Sequence, residues 1–62
     1  MLTTEEIYLI HDGVDNALCW GLGILSTCKE LLADNGYTWT EQHEKVLIEI
    51  CVNISKEDHE HQ

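Results

Sequence analysis

Cysteine, histidine and carboxylate side chains are the residues in this sequence whose types could do chemistry. The chain has three cysteines, four histidines and twelve acidic residues. A cysteine or serine nucleophile needs a histidine base at a suitable position, but His43 and Cys51 lie eight residues apart without a recognisable pattern. The pair His11-Asp12 has no serine or cysteine at recognisable spacing, and no arginine is present to stabilise an oxyanion or a phosphoryl group. We therefore predict that the protein is not an enzyme and uses no cofactor.

The cysteines show no CxxC spacing, and their number is odd. Cysteine behaves as a small apolar side chain in protein cores. We expect all three thiols, Cys19, Cys28 and Cys51, to be buried and structural.

The segment EDHEH near the end of the sequence is the one place where metal ligands cluster. It sets His59 and His61 among Glu57, Asp58 and Glu60. Two imidazoles two residues apart can share a divalent ion in an extended tail, whereas the alternative is a solvated polar terminus. We predict no metal site and keep His59 and His61 as the metal candidates to test.

The formal net charge of −9 limits the classes of partner. The lysines, Lys29, Lys45 and Lys56, are too few for phosphate contacts, which argues against direct nucleic-acid binding and against an anionic membrane. The uncharged run from Asn16 to Cys28 is shorter than the ~20 apolar residues of a membrane span, and the first residues lack the features of a secretion signal. The sequence thus predicts a soluble cytoplasmic protein with reduced cysteines, whose acidity provides solubility or suits a basic protein partner.

A long first helix is predicted from about residue 4 to residue 34. TTEE is a capping box, with Thr3 as the N-cap and Glu6 reaching back to it, and Leu2 and Ile7 can form a hydrophobic staple. Apolar or small residues then recur at a spacing of three and four up to Leu31. Asn35 and Gly36 favour termination there.

A second helix is predicted over residues 39–56. TWTE indicates another capping box, with Thr38 as the cap and Glu41 three residues later. The segment VLIEICVNI also alternates as a β-strand would. We favour a helix because the sequence offers no second strand for pairing. The fold class is therefore all-α, an antiparallel helical hairpin of residues 1–56 followed by a polar tail of residues 57–62.

Glycines leave the continuity of the first helix open, since a kink near Asp12-Gly13 would produce three helices and Gly21 and Gly23 are alternative sites of a flexible break. If the helix is continuous, the segment ALCWGLGIL is apolar on nearly every side, and the second helix can cover one side of it. We therefore predict a two-fold homodimer that forms a four-helix bundle, with Gly21 and Gly23 allowing close helix approach. The residues assigned to self-association are Ile7, Ile10, Val14, Ala17, Leu18, Gly21, Ile24, Leu25 and Cys28. The shared core also includes Leu31, Leu47, Ile50 and Ile54.

The length, the long first helix, the turn near residue 35 and the heptad-like core together resemble the Rop-type helical hairpin. That family forms an antiparallel four-helix dimer and binds paired RNA loops. The resemblance implies the architecture, but not RNA binding, since the basic residues of that face are missing here. A small acidic chain without enzymatic motifs also resembles early or accessory proteins of bacteriophages, which implies binding to a protein of a bacterial host.

The function predicted from the sequence is non-catalytic protein binding, as an accessory protein or inhibitor of a host factor. An alternative is a nucleic-acid mimic that occupies the basic groove of a DNA- or RNA-binding protein, and a further alternative is a metal-binding tail. Aromatic residues and acidic residues are the candidates for contact with a partner: Tyr8, Trp20, Trp39, Asp15, Glu44 and Glu49.

Overall fold

The computed structural model describes residues 1–60, with side chains up to Lys56. Over this range the chain forms three helices, α1 (Thr4–Trp20), α2 (Ile24–Asp34) and α3 (Glu41–Glu60), and no strand. The all-α prediction is confirmed, and the alternative of a strand over residues 46–54 is excluded. None of the helices in this part of the chain has the length and apolar content needed to cross a bilayer.

The capping box at the start of α1 is confirmed. The Glu6 backbone N–H donates to Thr3 Oγ1 at 3.2 Å, and the Thr3 backbone N–H donates to Glu6 Oε1 at 3.0 Å. This reciprocal pair satisfies two backbone donors at the helix N-terminus. Local sequence is therefore sufficient to determine where α1 begins.

The prediction of one continuous helix over residues 4–34 is wrong. Gly21 has a φ of 69°, in the left-handed region, and ends α1 by donating its N–H to the Ala17 carbonyl. Gly23 then precedes α2, and its carbonyl accepts the Thr27 N–H at 3.0 Å. A residue with a Cβ atom disfavours positive φ, so the break lies at Gly21 rather than at Gly13. The fold is a three-helix arrangement instead of a two-helix hairpin.

Gly13 is the site of close approach between α1 and α2. A Cβ atom placed on Gly13 would lie 2.6 Å from Sγ and 3.0 Å from Cα of Cys28, whereas one on Gly21 would meet nothing within 4 Å. The Cys28 Sγ also lies 3.4 Å from the Ile10 carbonyl oxygen. The close-packing role predicted for Gly21 and Gly23 is thus found, within this chain, at Gly13.

The core lies where α2 and α3 both pack against α1. Its buried apolar members are Ile10, Val14, Ala17, Cys28, Leu32, Leu47 and Ile50. Of the other residues predicted for the core, Ile7, Ile24, Leu31 and Ile54 are partly buried, whereas Leu18, Gly21 and Leu25 are exposed. Leu32 takes the central position that the heptad pattern assigned to Leu31, since the break at Gly21 restarts the helical phase.

The turn before α3 is confirmed at Asn35 and Gly36. Gly36 has a φ of 85°, and the Asn35 side-chain amide donates to the Leu31 carbonyl oxygen at 2.8 Å. The second capping box, however, lies two residues later than predicted. α3 begins at Glu41, the Thr40 carbonyl accepts the Glu44 N–H, and His43 rather than Glu41 reaches back to the cap. The helix continues to Glu60, past the predicted end at residue 56.

Candidate protein-binding surface

The turn between α1 and α2 carries three large apolar side chains in contact with solvent. Leu18 is 56% exposed, Trp20 is 74% exposed and Leu22 is 53% exposed. They lie within five consecutive residues of the charge-free run Asn16 to Cys28. We call Leu18, Trp20 and Leu22 the corner patch. It is the part of ALCWGLGIL that the fold leaves uncovered.

A second apolar feature is a groove between α2 and α3. Both helices pack against α1, and they share no comparable interface with each other. The groove is lined by Ile24 and Leu25 of α2 and by Glu44, Leu47, Ile48, Cys51 and Val52 of α3. We call this the α2–α3 groove. Past Cys51 and Val52 it is continued by a cavity that Ser55 and Lys56 also line.

The sequence carries a signal for this groove in the alternation of Val46, Ile48, Ile50, Val52 and Ile54. This alternation suggests a strand because apolar residues occur on two sides of the segment. In the helix, Ile50 is buried against α1 whereas Ile48 and Val52 are exposed. A helix with apolar residues on more than one side is one that contacts more than one neighbour.

The residues assigned to self-association fall into two groups. Ile10, Val14, Ala17 and Cys28 are at most 1% exposed within a single chain, because α2 and α3 already cover them. Ile7 and Ile24 are partly buried, and Leu18, Gly21 and Leu25 remain accessible. The heptad face of α1 is therefore used within the chain, and a second copy would have to meet the corner patch instead.

The aromatic candidates for partner binding are in different environments. Tyr8 and Trp20 are 65% and 74% exposed. Trp39 is partly buried, and its ring stacks on the His43 ring with a centroid distance of 5.4 Å. Trp39 is thus part of the packing at the start of α3, and Tyr8 and Trp20 are the aromatic side chains available to a partner.

The acidic candidates Asp15, Glu44 and Glu49 are all exposed, but they do not form one row. Asp15 belongs to α1 and the other two to α3. Glu44 and Glu49 point about 140° apart around α3, as follows from 3.6 residues per turn. Glu44 lines the α2–α3 groove, whereas Glu49 lines a shallow cavity with Leu2 and Ile7. A regular row of carboxylates along one face, as a nucleic-acid mimic would need, is not built from these three.

A buried polar pair joins the start of α1 to the start of α3, and sequence reasoning missed it. His43 is 2% exposed, and its Nε2 atom lies 2.5 Å from Glu6 Oε2. The Thr40 backbone N–H donates to His43 Nδ1 at 2.9 Å. Because a backbone N–H can only donate, Nδ1 is the unprotonated nitrogen, and Nε2 carries the hydrogen directed at Glu6. The Thr40 hydroxyl, 2.7 Å from Nδ1, then also donates to it.

This arrangement lets two helix caps support each other. Glu6 and His43 are each the third residue of their helix, and each accepts the backbone N–H of the residue that precedes the helix. The Thr3 backbone N–H first, and the His43 ring second, hold the pKa of Glu6 below its ordinary value. Contact between Glu6 and His43 spans 37 residues, so a local capping pattern alone could not reveal it.

Cysteine environments differ from the expectation of three buried thiols. Cys28 is buried, Cys51 is partly buried and Cys19 is exposed, so the prediction is wrong for Cys19. Burial first, and the neighbouring Cys51 second, raise the pKa of the Cys28 thiol to about 11. Cys28 is thus the least reactive kind of thiol, and its role is packing.

Among the described residues, no three histidine, cysteine or acidic side chains come together as a metal site. His59 and His61 lie outside the side chains that the structure describes, as do Glu57, Asp58 and Glu60.

Comparison with known proteins adds no relative to this description. No protein-family model, no curated protein and no solved structure matches the chain. The function is therefore inferred from the chain's own surface.

Proposed function

We propose that this chain is a non-catalytic protein-binding module whose exposed apolar surface is covered by other protein chains. The observation that supports this most directly is the number of large apolar side chains left in water by a chain of net charge −9: Leu18, Trp20, Leu22, Leu25, Ile48 and Val52. Clustered apolar residues on the surface of a small domain are typical of interaction sites. A domain of this size also buries a small share of its surface, so a partner chain adds stability that the core alone supplies poorly.

Self-association is assigned to the corner patch. Two copies of an acidic chain repel each other, and the repulsion is weakest where charged side chains are missing. The corner patch lies inside the uncharged run from Asn16 to Cys28, whereas the exposed apolar residues of α3 lie between carboxylates. A two-fold dimer would place Trp20 and Leu22 of each copy against the same residues of the other.

The α2–α3 groove is left free by such a dimer and would serve a different protein. An accessory or inhibitory action on a host factor, as the resemblance to small phage proteins implies, would consist of occupying a surface of that factor. Neither role requires a reaction at the Glu6–His43 pair, whose hydrogen bonds are used in helix capping.

Light scattering on a dilution series in reducing buffer tests the self-association part. We expect a mass of about twice 7.1 kDa for the wild-type chain, and a monomer for Trp20→Ser and Leu22→Ser. Asn16→Ala is a matched control, because it changes another exposed residue of α1 without removing apolar surface. A wild-type monomer at every concentration would refute the dimer, and dissociation of the control variant to the same extent would refute the assignment to the corner patch.

A further inference from the structure

We propose that the occupant of the α2–α3 groove is a basic amphipathic helix of another protein. This inference rests on the proposed protein-binding function and specifies its ligand. It depends on three features of the groove: its length along α3, its apolar floor, and the sign of the charge beside it.

The shape of the groove suits a helix. The residues of α3 that line it and its continuation recur at helical spacing: Glu44, Leu47, Ile48, Cys51, Val52 and Ser55. From Glu44 to Ser55 they cover about 16 Å along the helix axis. This is about three helical turns, the length over which a bound helix presents apolar anchors at positions i, i+3, i+4 and i+7.

The floor of the groove can accept such anchors. Leu47 is buried and forms its base, and Leu25, Ile48 and Val52 are 39%, 56% and 47% exposed along its walls. Their side chains are thus fixed at one end by the fold and open to solvent at the other. Covering them with leucine-like side chains removes apolar surface from water on both partners.

The charge beside the groove favours a basic occupant over a second copy. Glu44 is part of the lining, and Glu41 lies on the same side of α3 one turn earlier and is exposed. Lysines stand farther along, with Lys56 at the continuation and Lys29 one turn after Leu25 on α2. The chain as a whole carries −9, so a second copy, with the same charge, is repelled while a positive helix is attracted. The basic residues of the partner are expected at the Glu41–Glu44 end.

The probe for this proposal is a fluorescein-labelled peptide of leucine, alanine and lysine, about four helical turns long. Its leucines are at i, i+3, i+4 and i+7 and its lysines on the flanks. A second peptide has the same composition with the leucines rearranged so that they share no face. Fluorescence anisotropy near physiological ionic strength is expected to show binding of the first peptide, with the second at least about tenfold weaker.

Two variants that add the same charge separate groove binding from general attraction. Val52→Asp places a carboxylate in the groove, and Asn53→Asp places one on the next residue, which is exposed and does not line the groove. If the peptide were held by overall charge alone, both variants would bind it more tightly. We expect Val52→Asp to weaken binding by at least about tenfold, since an apolar anchor loses its contact, and Asn53→Asp to leave it unchanged or slightly stronger.

Milder changes keep the test decisive if Val52→Asp disturbs α3, which circular dichroism would reveal. Val52→Ala and Ile48→Ala are expected to weaken binding, and Glu44→Gln to weaken it with a smaller salt dependence. Equal affinities for the two peptides, no saturable binding, or equal effects of Val52→Asp and Asn53→Asp would overturn the proposal. Conversion of a dimer to a monomer by Val52→Asp would show that a second copy occupies the groove, which overturns the basic occupant but leaves protein binding intact. Loss of the dimer in Trp20→Ser concerns the corner patch and does not affect this result.

Discussion

Substitution of Gly13 by alanine sets two effects of opposite sign against each other. Alanine is a better helix former than glycine by about 1 kcal/mol in a helix interior. The new Cβ atom, however, would lie 2.6 Å from Sγ, 3.0 Å from Cα and 3.3 Å from Cβ of Cys28. Carbon atoms at optimal separation are about 3.5–4.0 Å apart. The Sγ atom can rotate away, but the Cα atom moves only if α2 moves.

The clash is expected to exceed the gain in propensity. Overpacking of a closely packed site costs typically about 1–3 kcal/mol, and the closeness of the α2 backbone places Gly13 in the upper part of that range. The net result for Gly13→Ala is a loss of about 1–2 kcal/mol in the free energy of unfolding. This is a substantial part of the total stability, which is about 3–9 kcal/mol for a chain of 62 residues.

Urea unfolding followed by circular dichroism in reducing buffer measures the effect. Asn16→Ala is the reference for helix propensity, since Asn16 is exposed in the same helix, and it is expected to stabilise by about 0.5 kcal/mol. Combining Gly13→Ala with Cys28→Ala removes the sulfur but leaves the backbone of α2 equally close, so the double variant should be more stable than the sum of the single effects by about 1 kcal/mol. An unfolding free energy for Gly13→Ala at or above that of the wild type, or strict additivity in the double variant, would refute the close crossing.

Three further predictions concern the buried polar pair and the thiols. His43→Ala should lower the free energy of unfolding by about 2–3 kcal/mol, because it leaves the backbone N–H before α3 without its acceptor and opens a cavity; the exposed-site control His11→Ala should change it by less than about 0.5 kcal/mol, and equal effects would contradict the prediction. The pKa of Glu6 in the folded chain lies below its ordinary 4.5, so its stabilising contribution is complete above pH 4.5 and is lost as the pH falls through the lowered value; Glu6→Gln should therefore lose less stability than the wild type between about pH 6 and pH 3, and the same loss in both would count against the pair. In thiol titration with a disulfide reagent, Cys19 should react rapidly and Cys28, whose pKa is raised to about 11, only on unfolding; a rapid phase that persists in Cys19→Ser would show that this assignment is wrong.

The helical elements could be predicted wherever the determining groups are close in sequence. The capping box of Thr3 and Glu6 and the turn at Asn35-Gly36 each depend on hydrogen bonds or dihedral angles within four residues, and the structure has them where the pattern predicts them. The break at Gly21 is one of the alternatives that the sequence leaves open, because glycine is permissive. A heptad pattern that continues across the break favours one long helix instead.

The candidate binding surface is visible in the sequence in part. The charge-free run points to Trp20 and Leu18, which are exposed, but also to Ala17, which is buried. Sequence alone cannot separate apolar residues that are covered within the chain from those left for a partner. That distinction depends on where α2 turns back, and hence on one positive φ at Gly21.

Composition and local pattern determined by themselves that this chain is acidic and helical, that a capping box opens its first helix, and that asparagine and glycine end the helix before the second turn. These properties are local because a helix closes its own hydrogen bonds within four residues. Tertiary structure alone decided that Gly13 lies against Cys28, that Glu6 meets His43 across 37 residues, and that α2 and α3 diverge to leave an apolar groove. Each of these depends on the packing of whole helices on α1, in which the contact partners are distant in sequence and are brought together only by folding.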